Sequence, residues 1–157
     1  MADEAPNVEI LKAAYKRWSD SKGGSVDDWM KICDANIAFG SLAQGAAPPI
    51  QYMTAYSKRD LLKDYFGGLA RDWDMIESVT DHFIAQGDRV VVVGRCSWRF
   101  KKSGKVVSTP KCDVWRMKDG KAVEFFEYYD TAQVMAATVP GVAAAFAAAV
   151  SPGAAQA

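Results

Sequence analysis

The sequence lacks an excess of charge of either sign and any apolar run long enough to cross a bilayer. Its 157 residues carry 19 Lys plus Arg against 19 Asp plus Glu, whereas a nucleic-acid-binding protein needs a basic excess to neutralise phosphates. A membrane-spanning helix needs ~20 consecutive apolar residues, and the first seven residues, MADEAPN, are acidic and polar, unlike a secretory signal. We therefore expect a cytoplasmic protein whose partners include neither nucleic acid nor a membrane.

Residues that hold metals and cofactors are also scarce. The three cysteines, Cys33, Cys96 and Cys112, form no CxxC pair, which indicates a reducing compartment rather than a disulfide framework or a zinc site. The single histidine, His82, falls inside a predicted strand, and we interpret it as structural. No glycine-rich phosphate loop and no GxSxG motif is present. The sequence thus predicts no metal site and no cofactor.

The patterns that are present indicate an α+β protein. Half of the residues are hydrophobic and 24% are charged, which is ordinary globular composition. In the first half, apolar residues recur at helical spacing, as Leu11, Tyr15 and Trp18 do. The second half alternates like strands joined by short turns, so we expect helices packed on one face of a curved sheet. We predict one domain over residues 1–138 and an Ala-rich C-terminal helix and tail over 139–157.

Two acidic residues of the last predicted hairpin occupy unusual positions. Asp113 alternates with Trp115 and Met117, and Glu127 alternates with Phe125, so each acid shares a strand face with large apolar groups. Because an isolated charge costs several kcal/mol to desolvate, each acid must be paired, hydrogen-bonded, protonated or near water. A cavity with mainly apolar walls and a few polar groups meets these demands and is typical of a small-molecule site.

The turn of this hairpin decides whether the two acids share a face, and the residues leave two alternatives. A two-residue turn ending at Gly120 places Asp113 opposite Phe126, with Glu127 on the reverse face. A three-residue loop with Gly120 left-handed in a bulge places Asp113 opposite Phe125. Only the second alternative puts both acids on the same side.

We predict Asp113 and Glu127 as the catalytic residues. The side chains expected to bind the ligand are Tyr15, Trp18, Phe39, Ser41, Tyr52, Cys96, Trp98, Trp115, Phe125 and Tyr129. Structural alternatives stay open for several of them. Asp113 can be a strand-edge acid paired with Lys111 or Arg116, Glu127 can face bulk solvent, and the two helix aromatics can be plain core residues.

The chain resembles the SnoaL-like group of the superfamily that contains nuclear transport factor 2 and ketosteroid isomerase. The resemblance covers residues 8–137 and is carried by residues 34–39 (DANIAF), 112–121 (CDVWRMKDGK) and 127–132 (EYYDTA), together with the order of helices and strands. It implies a cone-shaped, cystatin-like α+β barrel, in which a curved antiparallel sheet wraps around helices with a deep apolar pocket. It also implies a homodimer. The function stays open, since this fold hosts unrelated activities.

Asp113 matches the strand acid of the ketosteroid isomerases that stays protonated and donates a hydrogen bond to a substrate oxyanion. That acid is a standard example of a neutral buried carboxyl group. The general-base Asp of those enzymes falls in residues 39–41, which contain no acid. Their helix tyrosine falls on Ala14, one residue before Tyr15. The isomerase set is therefore incomplete in this chain.

Glu127 matches one acid of the limonene-epoxide hydrolase triad. The Arg and the second Asp of that triad fall on Gly94 and Cys96, and the water-positioning Tyr and Asn fall on Phe39 and Ser41. The histidines of scytalone dehydratase have no counterpart set here. The two matched acids nevertheless favour the three-residue turn, because they place both carboxyl groups in the pocket.

These observations predict an isomerase, dehydratase, cyclase or hydrolase that acts on an apolar, carbonyl- or epoxide-bearing substrate. The more desolvated acid would act as the acid and the other as the base. The alternative is a non-catalytic binding protein for a hydrophobic metabolite, which the incomplete catalytic sets favour. A protein-interaction module is a third hypothesis, for which the neutral charge and closed apolar pocket give little support.

Overall fold

The structure, a computed structural model, describes residues 4–45 and 48–150 and consists of one sheet with helices. The strands are β1 Cys33–Ser41, β2 Trp73–Gln86, β3 Arg89–Phe100, β4 Val106–Lys118 and β5 Lys121–Tyr129. The helices are α1 Glu4–Asp20, α2 Val26–Ile32, α3 Leu62–Asp72, α4 Thr131–Thr138 and α5 Val142–Val150, and a 3₁₀ turn at Arg59–Leu61 precedes α3. The predicted α+β class is confirmed.

The sheet is mixed, which corrects the expectation of a wholly antiparallel one. Strands β2 to β5 form an antiparallel meander, and β1 joins its end in parallel with β5, giving the order β1-β5-β4-β3-β2. In this parallel pair Phe39 lies opposite Phe125 and Ser41 lies opposite Glu127. The edge strand thus ends beside one of the two predicted acids.

The β4–β5 hairpin has the two-residue turn of the first alternative but the strand register of neither. Its turn has two residues, Asp119 and Gly120, both with positive φ (50° and 73°), as a type I′ turn requires. A register shift then follows between Arg116 and Met117, because β5 carries one extra residue, a β-bulge. Asp113 therefore lies opposite Glu127 rather than Phe126 or Phe125. The bulge, and not a three-residue loop, puts the two acids on one face.

The apolar faces of α1 and α3 pack on the sheet. The three- and four-residue spacing of Leu11, Tyr15 and Trp18 puts all three on the buried face of α1. From α2, Trp29 stacks on Trp115 of β4 with ring centroids 5.4 Å apart and planes within 6°. These contacts fix α1 and α2 over the strand that carries Asp113.

A close backbone approach shapes the sheet on the other side. A Cβ on Gly94 of β3 would lie 2.0 Å from the Val79 carbonyl oxygen of β2, at a register shift between Thr80 and His82. Only glycine allows the two strands to come this near. His82 itself is exposed on β2.

The C-terminal region of the described chain contains the helices α4 and α5. Asp130 caps α4, accepting a hydrogen bond from the Gln133 backbone N–H at 3.1 Å. Helix α5 covers part of the predicted C-terminal helix, and residues 151–157 of the predicted tail lie outside the described residues. The division at residue 138 stays a prediction. Among the described residues, no helix combines the length and the apolar character that crossing a membrane requires.

Candidate functional site

Two neighbouring cavities lie between the sheet and the helices. We call them the Trp98 cavity and the Tyr15 cavity, and their empty volumes are about 570 and 420 Å³ with the open mouths included. The Trp98 cavity is lined by Trp18, Met53, Tyr65, Leu69, Trp73, Cys96, Trp98, Val107, Thr109, Lys111, Glu127, Tyr129 and Val134. The Tyr15 cavity is lined by Tyr15, Trp18, Trp29, Cys33, Phe39, Tyr65, Phe66, Lys111, Asp113, Trp115, Phe125 and Glu127. Four residues are common to both: Trp18, Tyr65, Lys111 and Glu127.

An ammonium group lies between two carboxyl groups where the cavities meet. Lys111 Nζ is 3.1 Å from Asp113 Oδ2 and 3.2 Å from Glu127 Oε2. Lys111 and Asp113 are two positions apart on β4 and so point to the same face, while Glu127 lies opposite Asp113 on β5. We call Lys111, Asp113 and Glu127 the acid–lysine cluster.

Two tyrosines from the helices donate hydrogen bonds to the two acids of the cluster. Tyr15 of α1 donates its hydroxyl hydrogen to Asp113 Oδ2 at 2.5 Å and accepts from Trp115 Nε1 at 2.9 Å. Tyr65 of α3 donates to Glu127 Oε1 at 2.9 Å. Burial, together with the nearby carboxylates, raises the pKa of both tyrosines well above the ordinary value. Both hydroxyl groups therefore stay protonated and act as donors.

The electrostatics of the cluster favour a cationic lysine and a proton-accepting glutamate. Burial by itself would lower the pKa of Lys111, but the charges of Asp113 and Glu127 outweigh burial and raise it. Burial raises the pKa of Glu127, and Asp113 adds to this, although Lys111 opposes it. One ammonium faces two carboxyl groups, so the ionised cluster has an excess negative charge in a poorly solvated place. Glu127 is the group whose protonation relieves that excess.

One oxygen of the cluster has no hydrogen-bond partner among the described residues. Asp113 is 2% exposed, and its Oδ1 atom is buried without a partner. A buried carboxylate oxygen without a donor is costly, so the site has an unused acceptor beside the ammonium.

The structure brings eight of the ten predicted ligand-binding residues to the cavities. Six come from the strands, and Tyr15 and Trp18 come from α1. The other two, Ser41 and Tyr52, line neither cavity, and their part in ligand binding stays a prediction. Ser41 Oγ accepts from the Ala43 backbone N–H at 3.2 Å. The Tyr52 hydroxyl accepts from Trp73 Nε1 at 3.0 Å, so both groups satisfy the interior of the fold.

Sequence reasoning missed two residues that line both cavities, Lys111 and Tyr65. Lys111 was considered only as a structural partner of Asp113, although its position two residues earlier on the same strand was a usable signal. Tyr65 looked like one more apolar residue of a helix. Its 62-residue separation from Glu127 left no local pattern to find.

The epoxide-hydrolase comparison also changes in the light of the geometry. Matching the sequences placed the arginine of that triad on Gly94, where no cation is present. In the folded chain, a cation does lie between two acids, but it is Lys111, between Asp113 and Glu127. The cluster is thus an acid–cation–acid set that the residue-by-residue comparison did not reveal.

The curved five-stranded mixed sheet with its helices has the fold of nuclear transport factor 2 and ketosteroid isomerase. Residues 12–125 match the SnoaL-like domain family, and the chain belongs to that family. Among curated proteins, no relative matches the chain.

Solved structures share the fold at low identity. The chain is similar to an NTF2-like protein of unknown function from Burkholderia pseudomallei, with 17% identity, a TM-score of 0.72, and coverage of 85% of this chain and 98% of that one. The chain is also similar to a putative SnoaL-like polyketide cyclase from Jannaschia, with 20% identity, a TM-score of 0.65, and coverage of 87% of this chain and 94% of that one. A third similar structure is a protein of ketosteroid isomerase-like fold from Catenulispora acidiphila in complex with trimethylamine. It has 13% identity and a TM-score of 0.67, and the match covers 86% of this chain and 95% of that one.

Proposed function

We propose that this protein is a cofactor-independent acid–base enzyme, an isomerase or cyclase, that acts on a small, mainly apolar molecule bearing a carbonyl group. Glu127 is the proton carrier in this proposal. It is 5% exposed, lines both cavities and has a raised pKa. A buried carboxyl group with a raised pKa holds a proton more readily than a solvated one, and accepting and returning a proton is the requirement of general acid–base catalysis.

The walls of the site support an apolar substrate. Aromatic and aliphatic side chains make up most of both linings, as is usual for sites that bind small organic ligands. Burial raises the pKa of the Cys96 thiol in the Trp98 cavity, so it stays a neutral wall residue. The similarity to a putative polyketide cyclase agrees with this substrate class.

Hydrogen–deuterium exchange into an enolisable ketone tests the proposal without knowledge of the natural substrate. We expect the protein to accelerate uptake of deuterium from heavy water at the α-carbon of 2-tetralone, followed by mass spectrometry. Glu127→Gln should lower the catalysed rate by about 10²-fold or more. Glu124→Gln is the matched control, because Glu124 lies on the same strand and pairs with Arg89 and Arg116 outside the cavities. Equal rates in wild type and Glu127→Gln would contradict the proposal.

A second candidate function is non-catalytic binding of a hydrophobic metabolite. It is favoured by the internal pairing of the cluster, in which both carboxyl groups already have ion-pair and hydroxyl partners. Replacing both acids together, Asp113→Asn with Glu127→Gln, should then leave the affinity for a bound ligand within about tenfold. A larger loss of affinity would count against simple storage.

The cellular location, the assembly state and the partners of the protein are also proposals. We expect a cytoplasmic homodimer whose partner is a small hydrophobic molecule, without nucleic acid, membrane, metal or cofactor. Size-exclusion chromatography with light scattering would test the dimer.

A further inference from the structure

Lys111 is placed to meet a ligand and not only to neutralise its two neighbours. Its side chain is 24% exposed, whereas the side chains of Asp113 and Glu127 are 2% and 7% exposed. It lines the Trp98 cavity and the Tyr15 cavity. Lys111 therefore has the most exposed side chain of the cluster.

The hydrogen-bonding capacity of Lys111 exceeds what the cluster uses. An ammonium group has three N–H donors, and the structure shows two partners, Asp113 Oδ2 and Glu127 Oε2. One donor remains for an acceptor oxygen in the cavity. The two tyrosine hydroxyl groups do not offer this, since each donates its only hydrogen to a carboxylate.

The distance between Lys111 and Glu127 fits a particular arrangement of substrate atoms. The α-carbon and the oxygen of a ketone are about 2.4 Å apart, given ordinary C–C and C=O bond lengths. Glu127 Oε2 and Lys111 Nζ are 3.2 Å apart. One ketone can therefore place its α-C–H against the carboxylate and its oxygen against the ammonium at the same time.

We propose that Lys111 binds the carbonyl oxygen of the substrate and holds it while it becomes an enolate, which makes enolisable ketones and phenol-like compounds the ligand class of this site. This inference rests on the proposed function, because it names the partner of Glu127 in the same reaction. Lys111 is then a catalytic residue that touches the reacting oxygen, and Asp113 is a positioning residue that holds Lys111 through Oδ2.

The step balances without a co-reactant. Glu127 takes a proton from the α-carbon, the electron pair of the broken C–H bond forms the C=C bond, and the π pair of the C=O bond moves to oxygen. The enolate oxygen accepts a charge-assisted hydrogen bond from the remaining N–H of Lys111. In a ketone that carries a C=C bond at its β,γ-position, this intermediate is a dienolate, and Glu127 returns its proton to the γ-carbon. The electron pair on oxygen then re-forms the C=O bond, and the remaining C=C bond lies between the α- and β-carbons, which completes an isomerisation.

Binding of 4-nitrophenol, followed by the absorbance of its phenolate, tests this role directly and needs no turnover. At a pH below the pKa of the free probe, we expect wild-type protein to bind the probe with a larger phenolate fraction than the probe has in buffer. Lys111→Met should weaken phenolate binding at least about tenfold, and Lys111→Arg should keep it within about threefold. Lys118→Met is the matched control at the exposed end of β4 and should behave as wild type.

A charge-free variant guards against loss of folding. Lys111→Met leaves two buried carboxyl groups unpaired, whereas the triple variant Lys111→Met, Asp113→Asn, Glu127→Gln leaves no charge in the cluster. We expect this triple variant to fold and to bind the neutral phenol only. Phenolate binding of wild-type strength by either Lys111→Met variant, or no phenolate binding by wild type, would overturn the inference.

The two proposals fail in different ways. Lys111-dependent phenolate binding without any exchange of deuterium into 2-tetralone would end the proposed function and leave Lys111 as the oxygen-binding group. Exchange that depends on Glu127, with phenolate binding unchanged in the Lys111 variants, would overturn the inference about Lys111 alone.

Discussion

Replacing Lys111 by methionine removes the positive charge between two buried carboxyl groups while keeping a side chain of similar length. The ammonium lies 3.1 and 3.2 Å from its two partner oxygens. Each such contact is worth about 5 kcal/mol at an effective dielectric constant of ~20, before the cost of desolvating the ions is subtracted. Breaking a buried pair from one side typically costs about 3–5 kcal/mol. We therefore expect Lys111→Met to lower the free energy of unfolding by about 3–5 kcal/mol at neutral pH.

The loss should depend on pH in a defined direction. The folded-state pKa of Glu127 is raised by burial, and Lys111 opposes that rise, so removing the lysine raises this pKa further. A carboxyl group with a raised folded-state pKa favours folding below its unfolded pKa, ~4.3, and loses this contribution as the pH rises through the folded value. The destabilisation should therefore be largest at neutral and alkaline pH and should shrink as the pH falls towards ~4.3.

Urea unfolding at several pH values, followed by tryptophan fluorescence, measures this effect. Lys118→Met is the control, since Lys118 is exposed at the end of β4 and should change the unfolding free energy by less than about 0.5 kcal/mol. A loss below about 1 kcal/mol for Lys111→Met, or a loss that does not vary with pH, would refute the electrostatic description of the cluster.

Three further substitutions test the structure through thermal or urea unfolding. Glu127→Gln removes a group whose raised pKa opposes folding at neutral pH, and it leaves one carboxylate for Lys111. The free energy of unfolding should therefore stay within about 1 kcal/mol of the wild-type value or rise. A loss above about 3 kcal/mol would contradict this. Gly94→Ala forces a Cβ to within 2.0 Å of the Val79 carbonyl oxygen and should cost about 2 kcal/mol or more, whereas stability like that of wild type would show that the strands separate easily. Gly67→Ala, in an open position of α3, should instead stabilise by about 0.5–1 kcal/mol, and a clear loss would mean that this helix face is covered.

Part of the candidate site was accessible from local patterns. The alternation of Asp113 with Trp115 predicted an acid on an apolar strand face, and the structure shows Asp113 2% exposed. The same reasoning applied to Glu127, which is 5% exposed. The strand face of Glu127 depends on the turn of the hairpin, and the three-residue turn that the resemblance favours is not the turn that is present. A bulge in β5 sets the register, and a bulge has no residue signature as strong as that of an Asp-Gly turn.

The roles of individual wall residues needed the folded chain. Tyr52 was predicted to bind ligand, yet its hydroxyl group accepts a hydrogen bond from Trp73 Nε1. Tyr65 fits the apolar spacing of a helix and was not predicted as a site residue, yet its hydroxyl group donates a hydrogen bond to Glu127. Both outcomes depend on contacts between helix, loop and strand residues far apart in sequence, which periodicity cannot rank.

The sequence by itself determined the helix-then-strand order and the presence of acids on apolar strand faces, because these follow from local periodicity and from the unfavourable burial of charge. The family resemblance rests instead on particular stretches, residues 34–39, 112–121 and 127–132. Only the tertiary structure decided that Lys111 lies between Asp113 and Glu127, and that Tyr15 and Tyr65 hold the two acids from separate helices. The physical reason is that a one-residue change of register turns every later side chain of a strand to the other face. The site therefore depends on how strands and helices are brought together, and no single segment encodes that.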